Sequence, residues 1–121
     1  MKPQYAATLA AWAVIVVFPL AAPNASALEV TITIEEHAFM PQVMLIHVGN
    51  HVTWSNRDDG EHFLTSSGPA SRATAVDVGD LEFHQLLTPG SYYSHVFKAP
   101  GVYTYFCAIH LGMWGTIIVE P

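Results

Sequence analysis

The amino-acid sequence predicts an all-β domain, an antiparallel sandwich of about eight short strands. Three observations carry that expectation. Apolar and polar residues alternate with a period of two in several short windows, as in strands with one buried face. Clusters of Gly, Pro, Asn and Asp recur between those windows and supply turns. The folded part of the chain has no stretch of helical period long enough for an ordinary helix, and many short strands with such turns point to a sandwich.

The elements follow in order. Glu29 to Ile34 alternates strictly, with Val30, Ile32 and Ile34 on one side and Glu29, Thr31 and Thr33 on the other. Phe39 and Pro41 mark a break. Val43 to Val48 is a second apolar run, closed by Gly49-Asn50. His51 to Ser55 alternates again and should turn Val52 and Trp54 inward. Asn56 to Gly60 is a polar turn, after which Glu61 to Ser66 begins another strand. Ser67 to Asp80, rich in Gly, Pro, Ser, Ala and Asp, reads as a long surface loop with room for a short helical turn. Leu81 to Leu87 is partly extended, and Thr88-Pro89-Gly90 turns the chain. Ser91 to Phe97 is rich in aromatic and other strand-favouring residues. Ala99-Pro100-Gly101 is a tight turn before Val102 to Cys107, which places Tyr103 and Tyr105 on one face. Thr116 to Val119 is the last strand.

The 121 residues suffice for one domain with a modest core. Residues 1–27 are expected to be a secretory signal peptide. Lys2 precedes an apolar run from Ala6 to Ala22, and Ala25-Ser26-Ala27 offers a small-x-small cleavage site. The run is about 17 residues, at the lower edge for a membrane span, so an uncleaved anchor is the alternative. Residues 28–121 then form the mature domain. Cleavage removes one base, Lys2, from a formal charge of −6 and leaves −7. Such a surface repels nucleic acid and anionic lipid and can be steered toward a basic partner. The single cysteine, Cys107, excludes an intramolecular disulfide. In an oxidising compartment an odd thiol is a liability unless something uses it.

Gly101 to Gly115 supplies that use. Cys107, His110 and Met113 follow one another at intervals of three residues, directly after a strand. A thiolate, an imidazole and a thioether make a soft donor set. Soft sulfur donors select copper, and two His with a Cys and a long axial Met describe a blue-copper electron-transfer centre. Ordinary burial of a small apolar Cys is the simpler explanation of Cys107 alone, but it leaves the spacing of the three donors unexplained.

Four segments together resemble the cupredoxins of the plastocyanin, azurin and amicyanin group. They are Phe39-Met-Pro41 leading to Gly49, Val52 to Asp59 before His62, Leu87-Thr-Pro-Gly90 through Phe97-Lys-Ala-Pro-Gly101, and Tyr103 to Cys107 through Met113-Trp-Gly115. They span most of residues 29–120. The short Cys-x-x-His-x-x-Met spacing is similar to that of amicyanin. The resemblance implies a cupredoxin-like Greek-key sandwich with one type 1 copper at its end, and it maps the first His ligand onto His62, beside Cys107, His110 and axial Met113. Glu61 and Leu111 stand where the family commonly has Pro. Phe63 and Ala108 stand where it commonly has polar residues whose side chains link the two ligand-bearing segments, so that link is not available here.

The implied function is single-electron transfer between redox protein partners, not catalysis, by a monomeric, exported, periplasmic protein with no stable membrane association after cleavage. The edge of His110 should then reach the surface within an apolar patch to which Leu111, Trp114 and Met40 are candidates. A periplasmic copper chaperone or store is the alternative. Multicopper oxidases need far more chain, a binuclear copper-thiolate centre needs a second cysteine, and zinc is ordinarily bound without a thioether. The remaining histidines, His37, His47, His51, His84 and His95, are expected to be mostly exposed or half-buried; a second, weak metal site among some of them is the alternative, and His47 and His51 flank one turn and can approach each other.

Overall fold

The computed structural model describes residues 1–4, 13–20, 27–69 and 82–121. Residues 5–12 and 21–26 of the expected leader, and residues 70–81 of the expected surface loop, lie outside the described residues. Among the described residues no helix is long and apolar enough to cross a membrane.

The described residues of the domain form nine strands: β1 (Glu29–Glu35), β2 (Ala38–Met40), β3 (Val43–His47), β4 (His51–Asn56), β5 (His62–Pro69), β6 (Phe83–Leu87), β7 (Tyr92–Val96), β8 (Gly101–Cys107) and β9 (Trp114–Glu120). They make two sheets, in the orders β2-β1-β4-β7 and β3-β9-β8-β5-β6. The all-β sandwich is as expected from the alternation. The strand that the sequence reading passed over is β2, three residues inside the expected break at Phe39. β5 continues through Pro69, so the segment expected to be a loop from Ser67 starts as strand.

The sandwich is not purely antiparallel. β1 runs parallel to β4, with Ile32 opposite Trp54, and β3 runs parallel to β9, with Leu45 opposite Ile118. Alternation reports which face of a strand is buried and is silent on its neighbour's direction. Parallel neighbours need a long crossover, and the chain provides one by passing between the sheets: β1 and β2 lie in one, β3 in the other, and β4 returns to the first.

The core lies between the sheets. Ile32, Ile34, Val52 and Trp54 from the four-stranded sheet meet Leu64, Tyr105, Ile117 and Val119 from the five-stranded one. Of the inward positions read from β1 and β4, Ile32, Ile34, Val52 and Trp54 are fully buried, and Val30, at the start of β1, is half-buried against the core. Thr53 is buried too, because β4 is an internal strand with β1 and β7 on either side; its hydroxyl donates to Glu29 at 3.0 Å, which satisfies it. Trp54 packs against Phe83, Tyr93, Phe97 and Tyr105, and this aromatic cluster fills the middle of the sandwich.

At one position this packing leaves no space for a methyl group. A Cβ on Gly115, in β9, would overlap the ring and hydroxyl of Tyr105 on the neighbouring strand. Tyr105 is fully buried and has no room to yield. Gly115→Ala is therefore expected to destabilise the domain by about 1–3 kcal/mol through overpacking, read as a lower denaturation midpoint with an unchanged slope.

Candidate metal centre

One end of the sandwich gathers the expected ligands. β5 begins at His62 and its antiparallel neighbour β8 ends at Cys107, with Leu64 opposite Cys107. The chain then loops from Cys107 to Trp114 and enters β9, beside β8. The loop is closed at its base by the Cys107 N–H, which donates to the Met113 carbonyl at 2.9 Å. Gly112, with φ of 77°, takes the left-handed turn that reverses the loop.

His62 is fully buried, Cys107 and Met113 are nearly so, and His110 is half-buried. The Cys107 sulfur lies 3.8 Å from Nδ1 of His62 and 3.3 Å from Nδ1 of His110. One ligand atom from each of these residues falls within 4.8 Å of the other two. An ion bound by nitrogen and sulfur at about 2.0–2.3 Å, with the donors about 120° apart, would hold a nitrogen and a sulfur about 3.8 Å from each other. The donor set fits a metal ion with little movement. Met113 lines a cavity of about 320 Å³ together with Cys107 and His110, on the same side of the loop.

The apolar residues at 63 and 108 remove the side-chain link between the ligand segments, and backbone groups make the connection instead. The Phe63 N–H donates to the Cys107 sulfur at 3.3 Å, and the Ala108 N–H donates to the Phe63 carbonyl at 2.8 Å. A donor aimed at the sulfur stabilises the thiolate, the form that binds metal.

Asp58 sets the orientation of His62. Its carboxylate accepts from Nε2 of His62 at 2.8 Å, which places the ring proton on Nε2 and leaves the Nδ1 lone pair facing the sulfur. Burial holds the His62 pKa below its ordinary value, against the opposing pull of the Asp58 hydrogen bond and charge. The neutral, metal-ligating imidazole is thus the favoured form. Desolvation is the largest single influence on the Asp58 carboxyl and raises its pKa. The backbone N–H of His37, the hydrogen bond from His62 and the backbone N–H of Glu36 together outweigh it and leave the pKa lowered.

Those two backbone donors bring in a residue that sequence reasoning left out. Glu36 and His37, between β1 and β2, have φ of 52° and 59°. Left-handed backbone costs a non-glycine residue on the order of 1–3 kcal/mol. The Asp58 carboxylate offsets that cost by accepting from both N–H groups, at 2.7 and 3.0 Å. The turn so held puts the His37 ring edge-on against His110, at 4.6 Å between centroids, and against His62, at 5.5 Å. No periodicity could have disclosed this, since it depends on two loops sharing one end of the sandwich. The other histidines are exposed or half-buried, as expected.

A family model for copper-binding proteins of the plastocyanin/azurin family matches residues 26–120. The chain belongs to that family. Its cofactor is copper, and the converging His62, Cys107 and His110 together with Met113 are arranged as a type 1 copper site. Among curated relatives of this cupredoxin, chloroplastic plastocyanin of Tetradesmus obliquus is 34% identical over 85 residues, covering 68% of this chain. The match spans 58% of that relative's length. Among solved structures, a reduced amicyanin variant is similar with a TM-score of 0.63 and 24% identity, covering 78% of this chain and 83% of its own. A second reduced amicyanin variant gives 0.65 and 23%, covering 79% and 85%. These structures bear on the fold, which is cupredoxin-like.

Removing the Asp58 carboxylate should leave His62 without its orienting acceptor and the turn at His37 without its anchor. Asp58→Ala is expected to weaken copper binding by about 10–100-fold, measured by competition with a chelator. Asp59→Ala, one residue on and exposed, should leave the affinity unchanged.

Proposed function

We propose that this cupredoxin is an exported, monomeric blue copper protein that carries single electrons between redox protein partners and is not itself an enzyme. The convergence of two imidazole Nδ1 atoms on the one cysteine sulfur carries this reading. We assign His62, Cys107, His110 and Met113 as the residues that would hold the ion, with the Met113 thioether as the weakest donor of the four. Copper held there would supply a one-electron couple, Cu(II)/Cu(I), and a donor set of two imidazoles, a cysteine sulfur and a weak thioether suits both states.

The chain's own residues do the rest. Asp58 and the Phe63 N–H hold His62 and the sulfur in place, so little rearrangement accompanies electron transfer. Burial of His62, Cys107 and Met113 in the end of the sandwich keeps water from the site and so keeps solvent reorganisation small. His110 is the least buried of the four and provides the exit for the electron. Leu111, Trp114 and Met40 are exposed large apolar residues, and Leu111 and Trp114 border the cavity at His110. A patch of that kind suits the small, short-lived interfaces of redox encounters. Exposed acids at the end of β1 and in the adjoining loops, Glu35, Glu36, Asp59 and Glu61, favour a basic partner. The basic start, apolar run and Ala25-Ser26-Ala27 support secretion with cleavage after Ala27 and residence in the periplasm.

Titration of copper-free protein with Cu(II) should produce an intense blue charge-transfer band that saturates at one copper per chain, with a narrow copper hyperfine splitting in EPR. Cys107→Ala should lose both. A weakly coloured complex indifferent to Cys107 would instead make copper storage or delivery the better account. Met113→Leu should keep the blue band and raise the reduction potential, measured by protein-film voltammetry, because losing the axial thioether favours Cu(I).

A further inference from the structure

A second group of titratable side chains lies on the flank of the sandwich, between the edge strand β7 and the start of β6. The Tyr93 hydroxyl meets Nδ1 of His95 at 3.2 Å, and Nε2 of His95 meets the Glu82 carboxylate at 2.9 Å. The carboxylate can only accept, so Nε2 carries the ring proton. Nδ1 is then the acceptor of the Tyr93 proton. The His95 and Glu82 side chains are 18% and 30% exposed, so the group reaches solvent. Phe83 and Phe97 pack on the His95 ring, at 5.2 and 4.8 Å between centroids, and hold it in this position.

The group is joined to the metal centre by aromatic rings. Tyr93 stacks on Trp54 at 6.1 Å and 24°. Trp54 meets Tyr105 edge-on at 5.3 Å. Tyr105 lies two residues before Cys107 on the same inward face of β8. The ends of this series differ from its middle in proton chemistry. Neither the Trp54 indole nitrogen nor the Tyr105 hydroxyl makes a well-formed hydrogen bond, and the Trp54 N–H is the polar group that acts on the Tyr105 oxygen. A ring that has lost an electron becomes a strong acid and settles only where a base takes its proton. Among the described residues neither Trp54 nor Tyr105 has such a base, and Tyr93 has one.

We propose that Tyr93, His95 and Glu82 form a proton-coupled redox site, a second port at which a diffusible strong one-electron oxidant of the phenoxyl- or peroxyl-radical class takes an electron that the reduced copper centre replaces through Trp54 and Tyr105. The oxidant removes one electron from Tyr93 and becomes its anion, which takes a proton from water. The phenolic proton moves to Nδ1 of His95 along the existing hydrogen bond. This leaves a neutral phenoxyl radical and an imidazolium paired with Glu82. One electron arriving through Trp54 restores the phenolate, and the proton returns from Nδ1 to its oxygen. The net change is one electron from the copper centre to the oxidant, with the protein's covalent structure unchanged. The connection to copper rests on the blue-copper reading above. The redox chemistry of Tyr93 does not.

The test uses the full folded protein and photogenerated ruthenium(III) polypyridyl as the oxidant, first without copper. A tyrosyl radical should appear in transient absorption and in freeze-quenched EPR. It should be lost in Tyr93→Phe and retained in Tyr92→Phe, whose site is the exposed neighbour. His95→Gln should slow its formation by about a hundredfold, as expected for removal of a positioned base. A radical that persists in Tyr93→Phe, or that forms at the same rate in His95→Gln, overturns the site. With Cu(I) bound, the radical should decay faster than in the copper-free protein, and Trp54→Phe should restore the slow decay. Tyr105→Phe, which keeps the ring, should do the same and serves if the Trp54 variant does not fold. Equal decay with and without Cu(I) overturns the link to the metal. Failure to form a blue site would undo only the carrier reading, since the copper-free measurements stand apart from it.

Discussion

The pairing of β5 with β8 is the constraint on which the metal centre depends. It brings the start of one strand beside the end of another, and so His62 beside Cys107 across 45 residues of chain. The contact is made by backbone groups, through Phe63 and Ala108. Backbone hydrogen bonds at a strand junction do not depend on which side chains stand there. The site therefore tolerates Phe63 and Ala108 where polar side chains are common in the family. Apolar neighbours also lower the local dielectric around the sulfur, one of the means by which a protein sets the potential of a metal it holds.

Asp58 is the second point on which the site turns. One carboxylate satisfies a ligand imidazole and two N–H groups of a left-handed turn. Its own backbone N–H is received by Asn56, a fully buried side chain that also donates to the carbonyls of Gly60 and Leu87. The β4–β5 loop is thereby tied to β6 on one side and to the β1–β2 turn on the other. Copper binding and the shape of this end of the fold are thus coupled through a few polar groups, and His37 takes its place at the ligand rings as a consequence.

The aromatic cluster at the centre has two physical aspects. As packing, Trp54 and its neighbours supply the large apolar surface that a domain of this size needs. As chemistry, the same rings form a continuous series from the strand that carries Cys107 to a hydrogen-bonded tyrosine on the flank. On the proposal above, a core rich in Trp and Tyr beside a copper site is not chemically inert, and the position of the His95 base determines where oxidising equivalents come to rest.

Much of this protein was legible in its residues. Alternation at Val30, Ile32 and Ile34 and at Val52 and Trp54 identified the inward faces, because burial on one side of a pleated strand imposes a period of two. The spacing of Cys107, His110 and Met113 identified the chemistry, because a short loop can present three donors to one ion without help from the rest of the chain. Tertiary structure alone decided the remainder. The parallel pairings of β1 with β4 and β3 with β9, the approach of His37, the anchoring by Asp58 and the Tyr93–His95–Glu82 series all join segments distant in sequence. A local pattern records which face of an element is apolar. It holds no record of which other element that face, or that loop, will meet.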